Sequence, residues 1–456
     1  MQRILAITWL TWKAALRYRL FWVIAALLIG SVVVLPLVIK DDGTARGFSQ
    51  ILLTYTLSVI TALLGLATLW LSCGTLARDI EENQMQLVAV KPVARWQIWI
   101  GKWLGVVSLD AALLALAGIC VFGLMHWRAQ KLPVEQHRIL REEVLVARGS
   151  LKEAPFDLEA EVERIYRESI KDTPGDPASA AFIKNQIRER LKVQVIKPRT
   201  LRRWKLDLGA QRLLLRDEPL FLRFKFFAAS TNGLGSYALR MEAGPPDSPQ
   251  RQRIDRTFAA DSFQELRLAP NLWDASGILT IDIANYDEVL LVFPNDEGFE
   301  VLYREGGFAL NFFRALMIIL CWLTLLAALG LAAASLLSFP VAAFVSLALM
   351  IVALSSGTLS SSVESGTITG VNEETGVAGK SVLDYALIPL FKGLLQVFSL
   401  VEGFSPIDAL STGRSVGWGT VARAFAQIVL LLGGVLACFG IVTFTRRELA
   451  AGNHQS

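Results

Sequence analysis

The sequence has 456 residues, of which 53% are hydrophobic and 19% charged, and its mean hydropathy is +0.45. Soluble domains usually carry about 25% charged residues, so this composition favours a protein that buries much of its length in a membrane. The formal net charge is only +4, and no long basic tract or zinc spacing occurs, which argues against nucleic-acid binding. The four cysteines stand singly in apolar runs, which is typical of small buried residues and not of a disulfide framework.

Residues 1–19 predict an amphipathic helix on the membrane surface, because basic side chains alternate with apolar ones. Trp9 and Trp12 are its expected interfacial anchors. The uncharged run 20–39 can cross about 30 Å of hydrocarbon and predicts the first span. A secretory signal peptide is the alternative, but no small-residue cleavage site follows the run. The positive-inside rule then predicts a cytoplasmic N-terminus.

A polar segment, residues 78–102, separates two apolar runs. The runs 51–77 and 103–125 predict the second and third spans, so spans 1–3 and this segment occupy residues 20–126. The basic residues of the segment predict that it lies in the cytoplasm.

Within this segment a short helix is expected over residues 78–89. It ends before Lys91-Pro92, because the residue before a proline avoids the helical region. Three indoles follow at spacings of three and four, share one helical face and predict further interfacial anchors: Trp96, Trp99 and Trp103.

Asp110 is a carboxylate inside the third predicted span. A charged side chain in hydrocarbon is costly and commonly marks function, so Asp110 is the intramembrane polar candidate. It lies only about two helical turns beyond Lys102, which leaves a solvated or paired residue near the interface as the alternative.

Residues 127–307 differ from the rest of the chain, because charged residues become dense and no run could span a membrane. Helical periodicity predicts that 127–200 is helical, with helices over residues 134–148, 157–171 and 178–196. From residue 201 to residue 307, short strand-like runs between Gly/Pro turns predict a β-sandwich. The span count predicts that this domain is extracytoplasmic.

Two more spans are expected in residues 308–359, over the runs 308–337 and 341–359. The outer loop 360–420 contains an apolar segment, 382–403, whose charges and proline favour a re-entrant or interfacial pair of helices over a span. Residues 421–456 predict the sixth span and a cytoplasmic tail.

The predicted fold is therefore an α-helical polytopic membrane protein with six spans and both termini cytoplasmic. It carries an inserted α+β extracytoplasmic domain in which helices precede a β-sandwich. We expect a multi-pass protein of the cell membrane, in contact with membrane lipid.

No catalytic or metal constellation is visible in the sequence. The run 376–381 ends like a phosphate-binding loop, but Glu374 stands where a Walker loop needs glycine. His126 and His137 are too loosely spaced for a predicted metal pair. We therefore expect no catalytic residue, no metal site and no cofactor bound by this chain.

Segment 78–102 resembles the cytoplasmic coupling segment in permease subunits of type-2 ABC exporters. The resemblance rests on the acidic pair Glu81-Glu82, the turn Pro92-Val93-Ala94-Arg95, and Gly101-Lys102 at the opening of the third span. It extends over residues 1–126 and 308–456, including the Arg446-Arg447-Glu448 end. The insert 127–307 is large for this family.

The resemblance implies a permease subunit, not an enzyme, in an ATP-driven transporter that works as an exporter. Its implied partners are a separate ABC ATPase subunit, which uses the ATP, and a second permease copy in a homodimer or pair. The implied ATPase-coupling residues are Glu81, Glu82, Pro92, Arg95, Gly101 and Lys102. The alternative is a membrane-anchored interaction or mechanotransmission protein whose extracytoplasmic domain binds a partner without substrate translocation.

Overall fold

The structure, a computed structural model, describes residues 1–17, 19–38, 44–82, 93–130, 133–140, 144–154, 157–169, 177–209, 212, 215–231, 233, 235–246, 248–249, 251–295, 298–355, 384–401 and 403–447. The chain divides into two compact units. The first joins Met1–Val146 to Gly307–Ser456, and the second is Ala147–Gly306.

Helices form the first unit and part of the second. In chain order they are α1 (Gln2–Arg17), α2 (Arg19–Val38), α3 (Ala45–Glu81), α4 (Arg95–Ala129), α5 (Val134–Ile139), α6 (Leu158–Ser169), α7 (Pro177–Leu191), α8 (Phe308–Leu336), α9 (Phe339–Leu354), α10 (Asp384–Ser399), α11 (Pro406–Ser411) and α12 (Trp418–Arg446). Helix α12 contains a π-helical stretch, Phe425–Gly433.

Four helices in the described ranges are long and apolar enough to cross a membrane: α3 from Ser49, α4, α8 and α12. Helix α2 meets the same criterion only together with α1, to which it is bent by 74°, and this pair would make a fifth span. Helix α9 has only 16 residues, fewer than the about 20 that a span needs. The predicted count of six therefore exceeds the count that helix lengths support among the described residues.

Helix α8 lies in the middle of the first unit, where it contacts α3, α4, α9 and α12. Many of its buried residues are alanine or glycine, which lets neighbouring helices approach closely. The segment predicted to be re-entrant contains α10, whose Pro389 lies inside the helix. The depth of α10 in a membrane stays a prediction.

The part of the second unit that the structure describes contains eleven strands in three sheets. The strands are β1 (Val146–Leu151), β2 (Val193–Ile196), β3 (Leu201–Asp207), β4 (Leu220–Phe224), β5 (Phe227–Ala228), β6 (Ser236–Ala243), β7 (Gln252–Ala259), β8 (Gln264–Leu268), β9 (Ile278–Asn285), β10 (Leu291–Pro294) and β11 (Phe299–Gly307). The orders are β1-β11-β4-β8, β2-β10-β5 and β3-β9-β6-β7. One hydrophobic core receives side chains from all three sheets, including Trp204, Phe224 and Phe293.

Two strands occupy positions where helix was predicted. Val146–Leu151 is a strand beside β11, and Val193–Ile196 pairs with β10 in antiparallel register. The helical periodicity is therefore wrong at residues 146–148 and 193–196. Pairing with strands about 100 residues or more further along the chain outweighs local preference there, as tertiary context commonly does.

Strand β9 carries a buried carboxylate, Asp282, which is 2% exposed. Arg203 on β3 donates to it from Nε and Nη2 at 2.8 and 3.0 Å, and Arg251 donates from the other side. Burial opposes the charge, but hydrogen bonds from the two guanidinium groups outweigh it and hold the pKa of Asp282 below its usual range. Arg251 also pairs with Glu242 on β6, with an N–O distance of 2.7 Å. The ion-pair network thus joins β3, β9 and β6.

Candidate functional site

The predicted coupling segment is described at its two flanks. Helix α3 ends at Glu81, and α4 begins at Arg95. Residues 83–92, which include the candidate Pro92, lie outside the described residues. Glu82 is exposed at the end of α3, where its backbone N–H donates to the Arg78 carbonyl at 2.8 Å.

Glu81 connects the end of α3 to the start of α9. Its carboxylate accepts the backbone N–H of Phe339 at 2.8 Å. The first N–H groups of a helix have no partner within the helix, and a negative charge there is stabilising. The guanidinium carbon of Arg78 lies 4.4 Å from the centre of the Phe339 ring, which adds a cation–π contact.

Arg95 connects the start of α4 to the end of α12. Its Nη1 atom donates to the carbonyls of Phe444, Thr445 and Arg447 at 3.0, 2.8 and 2.8 Å. The end of a helix leaves such carbonyls without a backbone partner, and a cation there interacts favourably with the helix dipole. Arg447 in turn reaches the carbonyls of Ala334 and Ser335, near the end of α8.

Lys102 lies on α4, seven residues beyond Arg95, and is buried. Its side chain is 10% exposed, and Nζ contacts Asp79 Oδ2 at 2.5 Å and the Thr75 carbonyl at 2.6 Å. Both partners belong to α3. The ammonium therefore joins α3 to α4 from within the protein and is not presented to a partner.

Gly101 and Gly105 form the contact of α4 with α1. A Cβ atom at Gly101 would lie 2.7 Å from Ile7 Cβ, and one at Gly105 would lie 2.6 Å from Thr11 Cβ. Thr8 also donates to the Gly101 carbonyl at 3.1 Å. Helix α1, predicted to lie on the membrane surface, is thus packed along α4 on one face.

The five tryptophans proposed as interfacial anchors fall into three groups. Trp9 and Trp96 are 60% and 45% exposed, as such anchors need to be. Trp12 and Trp103 are half-buried, and their indole N–H groups donate to Ser108 Oγ at 2.8 Å and to the Thr324 carbonyl at 3.3 Å.

The position of Trp99 contradicts its predicted role as an interfacial anchor. It is fully buried in the helix bundle, and a Cβ atom at Gly440 would lie 2.8 Å from its Nε1. Trp99 therefore fills the space between helices α4 and α12 instead of facing the membrane interface.

Asp110 lines a cavity of about 240 Å³ in the first unit. The carboxylate is 2% exposed and accepts a hydrogen bond from Thr68 on α3 at 2.9 Å. The cavity walls are mostly apolar and come from α1, α2, α3 and α4, with Ala15, Phe21, Ile24, Trp70, Leu109 and Leu113 among them. Asp110 is therefore buried and paired with Thr68, and its depth relative to the membrane interface stays a prediction.

Three contributing residues were missed by sequence reasoning. Asp79 and Thr68 are the partners of Lys102 and Asp110, and Arg447 joins α12 to α8. Asp79 lies beside the acidic pair and Arg447 within the basic end, so composition marks both as unusual. Nothing in the local pattern distinguishes Thr68 from other span threonines. Among the described residues, no group of three or more His, Cys, Asp or Glu side chains could hold a metal ion.

Comparison with protein families, curated proteins and solved structures gives no match for this chain. The resemblance to type-2 ABC exporter permeases therefore rests on the residues quoted above.

Replacing Arg95 with glutamine is expected to loosen the end of α12. The charged donor to three carbonyls disappears, so amide hydrogen exchange over residues 444–447 should become about tenfold faster, as loss of roughly 1–2 kcal/mol of capping predicts. Exchange is measured by mass spectrometry on the detergent-solubilised protein. Arg446→Gln is the matched control, because this neighbouring arginine is exposed at the same helix end. Equal exchange in the two variants would contradict the capping role.

Proposed function

We propose that this chain is the membrane-spanning permease subunit of an ATP-driven ABC exporter in the cell membrane. In this proposal it has six spans with both termini in the cytoplasm, and the runs 20–39 and 341–359 are the two spans beyond the four long helices. Segment 78–102 contacts a separate ATPase subunit, which binds and hydrolyses ATP. A second permease copy, identical or paired, completes the transporter, and this chain has no enzymatic activity of its own.

The observation that carries the proposal is a set of contacts that connects five helix ends, two of which are the described flanks of segment 83–92. Glu81 joins α3 to α9, Arg95 joins α4 to α12, and Arg447 joins α12 to α8. Lys102 also fixes α3 against α4. A force applied between Glu82 and Arg95 would therefore act on several helices together, which is what a coupling element requires.

The contacts also divide the predicted coupling residues by role. Glu81, Arg95 and Lys102 are engaged within the chain, and Gly101 seats α1. Glu82 is exposed at the end of α3, next to residue 83, and this position makes it our candidate for contact with an ATPase. We therefore propose that the first four transmit the force and that Glu82 receives it.

Purification tests this division of roles. The tagged chain, isolated from membranes of the organism that makes it, is expected to retain a Walker-motif ATPase and to hydrolyse ATP. Glu82→Lys should reduce the retained ATPase by about tenfold or more, because a charge reversal at an interface costs several kcal/mol. Glu305→Lys is the control, since this carboxylate is exposed in the second unit. Absence of an ATPase from the wild-type preparation, or its full retention by Glu82→Lys, would overturn the proposal.

One observation favours the second candidate, a mechanotransmission protein. Ala147–Gly306 is a separate unit with its own hydrophobic core, which is more than a connecting loop needs. In that case ATP hydrolysis would drive the second unit without moving cargo. The same preparation in liposomes distinguishes the two, because only a transporter accumulates an amphiphile across the bilayer.

A further inference from the structure

The cavity beside Asp110 lies where four helices meet. The wall residues are Ala15 at the end of α1, Phe21 and Ile24 at the start of α2, Trp70 on α3, and Leu109 and Leu113 on α4. Helices α1 and α2 are bent by 74° at this point. The cavity is partly open, and its volume of about 240 Å³ is below the about 300–1,000 Å³ of a site that encloses a drug-sized ligand. It can thus hold a head group and the first carbons of a chain, with the remainder outside.

Asp110 is the acidic group of this cavity. Among the described residues, Thr68 is its one hydrogen-bond donor and no lysine or arginine forms an ion pair with it. A carboxylate can accept about four hydrogen bonds, and burying it without a cation is costly. Retaining such a group at a cavity wall favours a ligand that brings its own positive charge and its own N–H donors.

Arg78 also lines the cavity, but its guanidinium group contacts an aromatic ring outside the cavity wall. Its guanidinium carbon lies 4.4 Å from the centre of the Phe339 ring, and Phe339 belongs to α9 and is not part of the cavity wall. The Phe339 ring itself is held edge-on against Trp70, with ring centres 5.1 Å apart. The cavity therefore presents a carboxylate among apolar walls, with a cation fixed at one margin.

We propose that this cavity binds an amphiphile with a protonated amine, whose ammonium group donates hydrogen bonds to Asp110 and whose apolar chain extends out of the partly open cavity. Charge complementarity selects the ammonium, and the small volume with apolar walls selects an amphiphile over a compact polar amine. Binding needs only this chain, so it stands or falls independently of ATPase coupling.

Equilibrium binding of dodecylamine tests the site. The full chain is placed in phosphatidylcholine nanodiscs, and binding to empty nanodiscs is subtracted. We expect saturable binding by the wild type and about tenfold or more weaker binding by Asp110→Asn, which keeps the shape and an acceptor for Thr68. Asp408→Asn, on the exposed face of α11, should bind as the wild type does. Dodecanoic acid should show no saturable binding.

A second variant separates ligand binding from folding. Ala67→Phe fills the cavity from α3 and leaves the carboxylate in place, so it should also abolish saturable dodecylamine binding. Equal dodecylamine affinity in the wild type and Asp110→Asn, or undiminished binding by Ala67→Phe, would overturn the proposal. Saturable dodecanoic acid binding that is lost in Arg78→Gln would also overturn it, because the site would then select anions.

Discussion

Replacing Gly105 with leucine is expected to separate helix α1 from α4 and to lower the free energy of unfolding by about 2–3 kcal/mol. A Cβ atom at this position would already lie 2.6 Å from Thr11 Cβ, and three further carbons have no space. The contact also carries the Trp12–Ser108 hydrogen bond of 2.8 Å, which would be lost with it. Thermal unfolding in detergent, followed by tryptophan fluorescence, measures the effect.

The same helix supplies the control for this variant. Gly123 lies further along α4, and a Cβ atom there would have no heavy atom within 4 Å. Gly123→Leu changes helix propensity and hydrophobicity in the same way as Gly105→Leu but meets no neighbour. Similar melting temperatures for the two variants would show that α1 does not depend on this contact.

Replacing Asp282 with alanine is expected to destabilise the second unit by about 2–3 kcal/mol. Removing one partner of a buried ion pair leaves the other charge uncompensated, although the partial exposure of Arg203 reduces the cost. The change leaves Arg251 with Glu242 as its remaining carboxylate partner in the described network. Urea unfolding of the fragment 147–306, which contains the whole network and its own core, measures the difference.

This carboxylate also predicts a pH dependence for the fragment. The pKa of Asp282 is lower in the folded state than in the unfolded chain, where an aspartate titrates near about 3.9. Its contribution is therefore complete above that value and is lost as the pH falls through the folded-state pKa. Asp282→Ala should lack this component, whereas Asp255→Ala, at an exposed ion pair, should retain it. An identical acid transition in wild type and Asp282→Ala would contradict this assignment.

The candidate spans could be predicted where a long apolar run contains few charged residues. Helices α3, α4, α8 and α12 are of this kind. At the first and fifth predicted spans, hydropathy does not reveal the bend before α2 or the end of α9 at Leu354. The strands β1 and β2 could not be predicted locally, since their neighbours in the sheets, β11 and β10, lie far along the chain.

The polar residues of the candidate site could be predicted, but their partners could not. Glu81 contacts a residue 258 positions away, and Arg95 one 349 positions away, so no periodicity relates them. The tryptophan face shows a second limit. In a membrane protein both a lipid-facing and a helix-facing side are apolar, and spacing alone does not separate Trp96 from the fully buried Trp99.

The π-helical stretch Phe425–Gly433 determines which face of the following part of helix α12, Gly434–Arg446, is turned toward its neighbours. Val421 and Ala424 are buried before this stretch, and Ile428, Val429 and Gly433 are buried within it. A wide turn of this kind accommodates one extra residue, and each residue rotates an α-helix by about 100°. This offset brings Gly440 against Trp99 and the Phe444 carbonyl to Arg95. Deleting one residue from the stretch would turn Gly440 and the Phe444 carbonyl away from these partners. The nine residues of the stretch therefore determine which side of the end of α12 faces the start of α4.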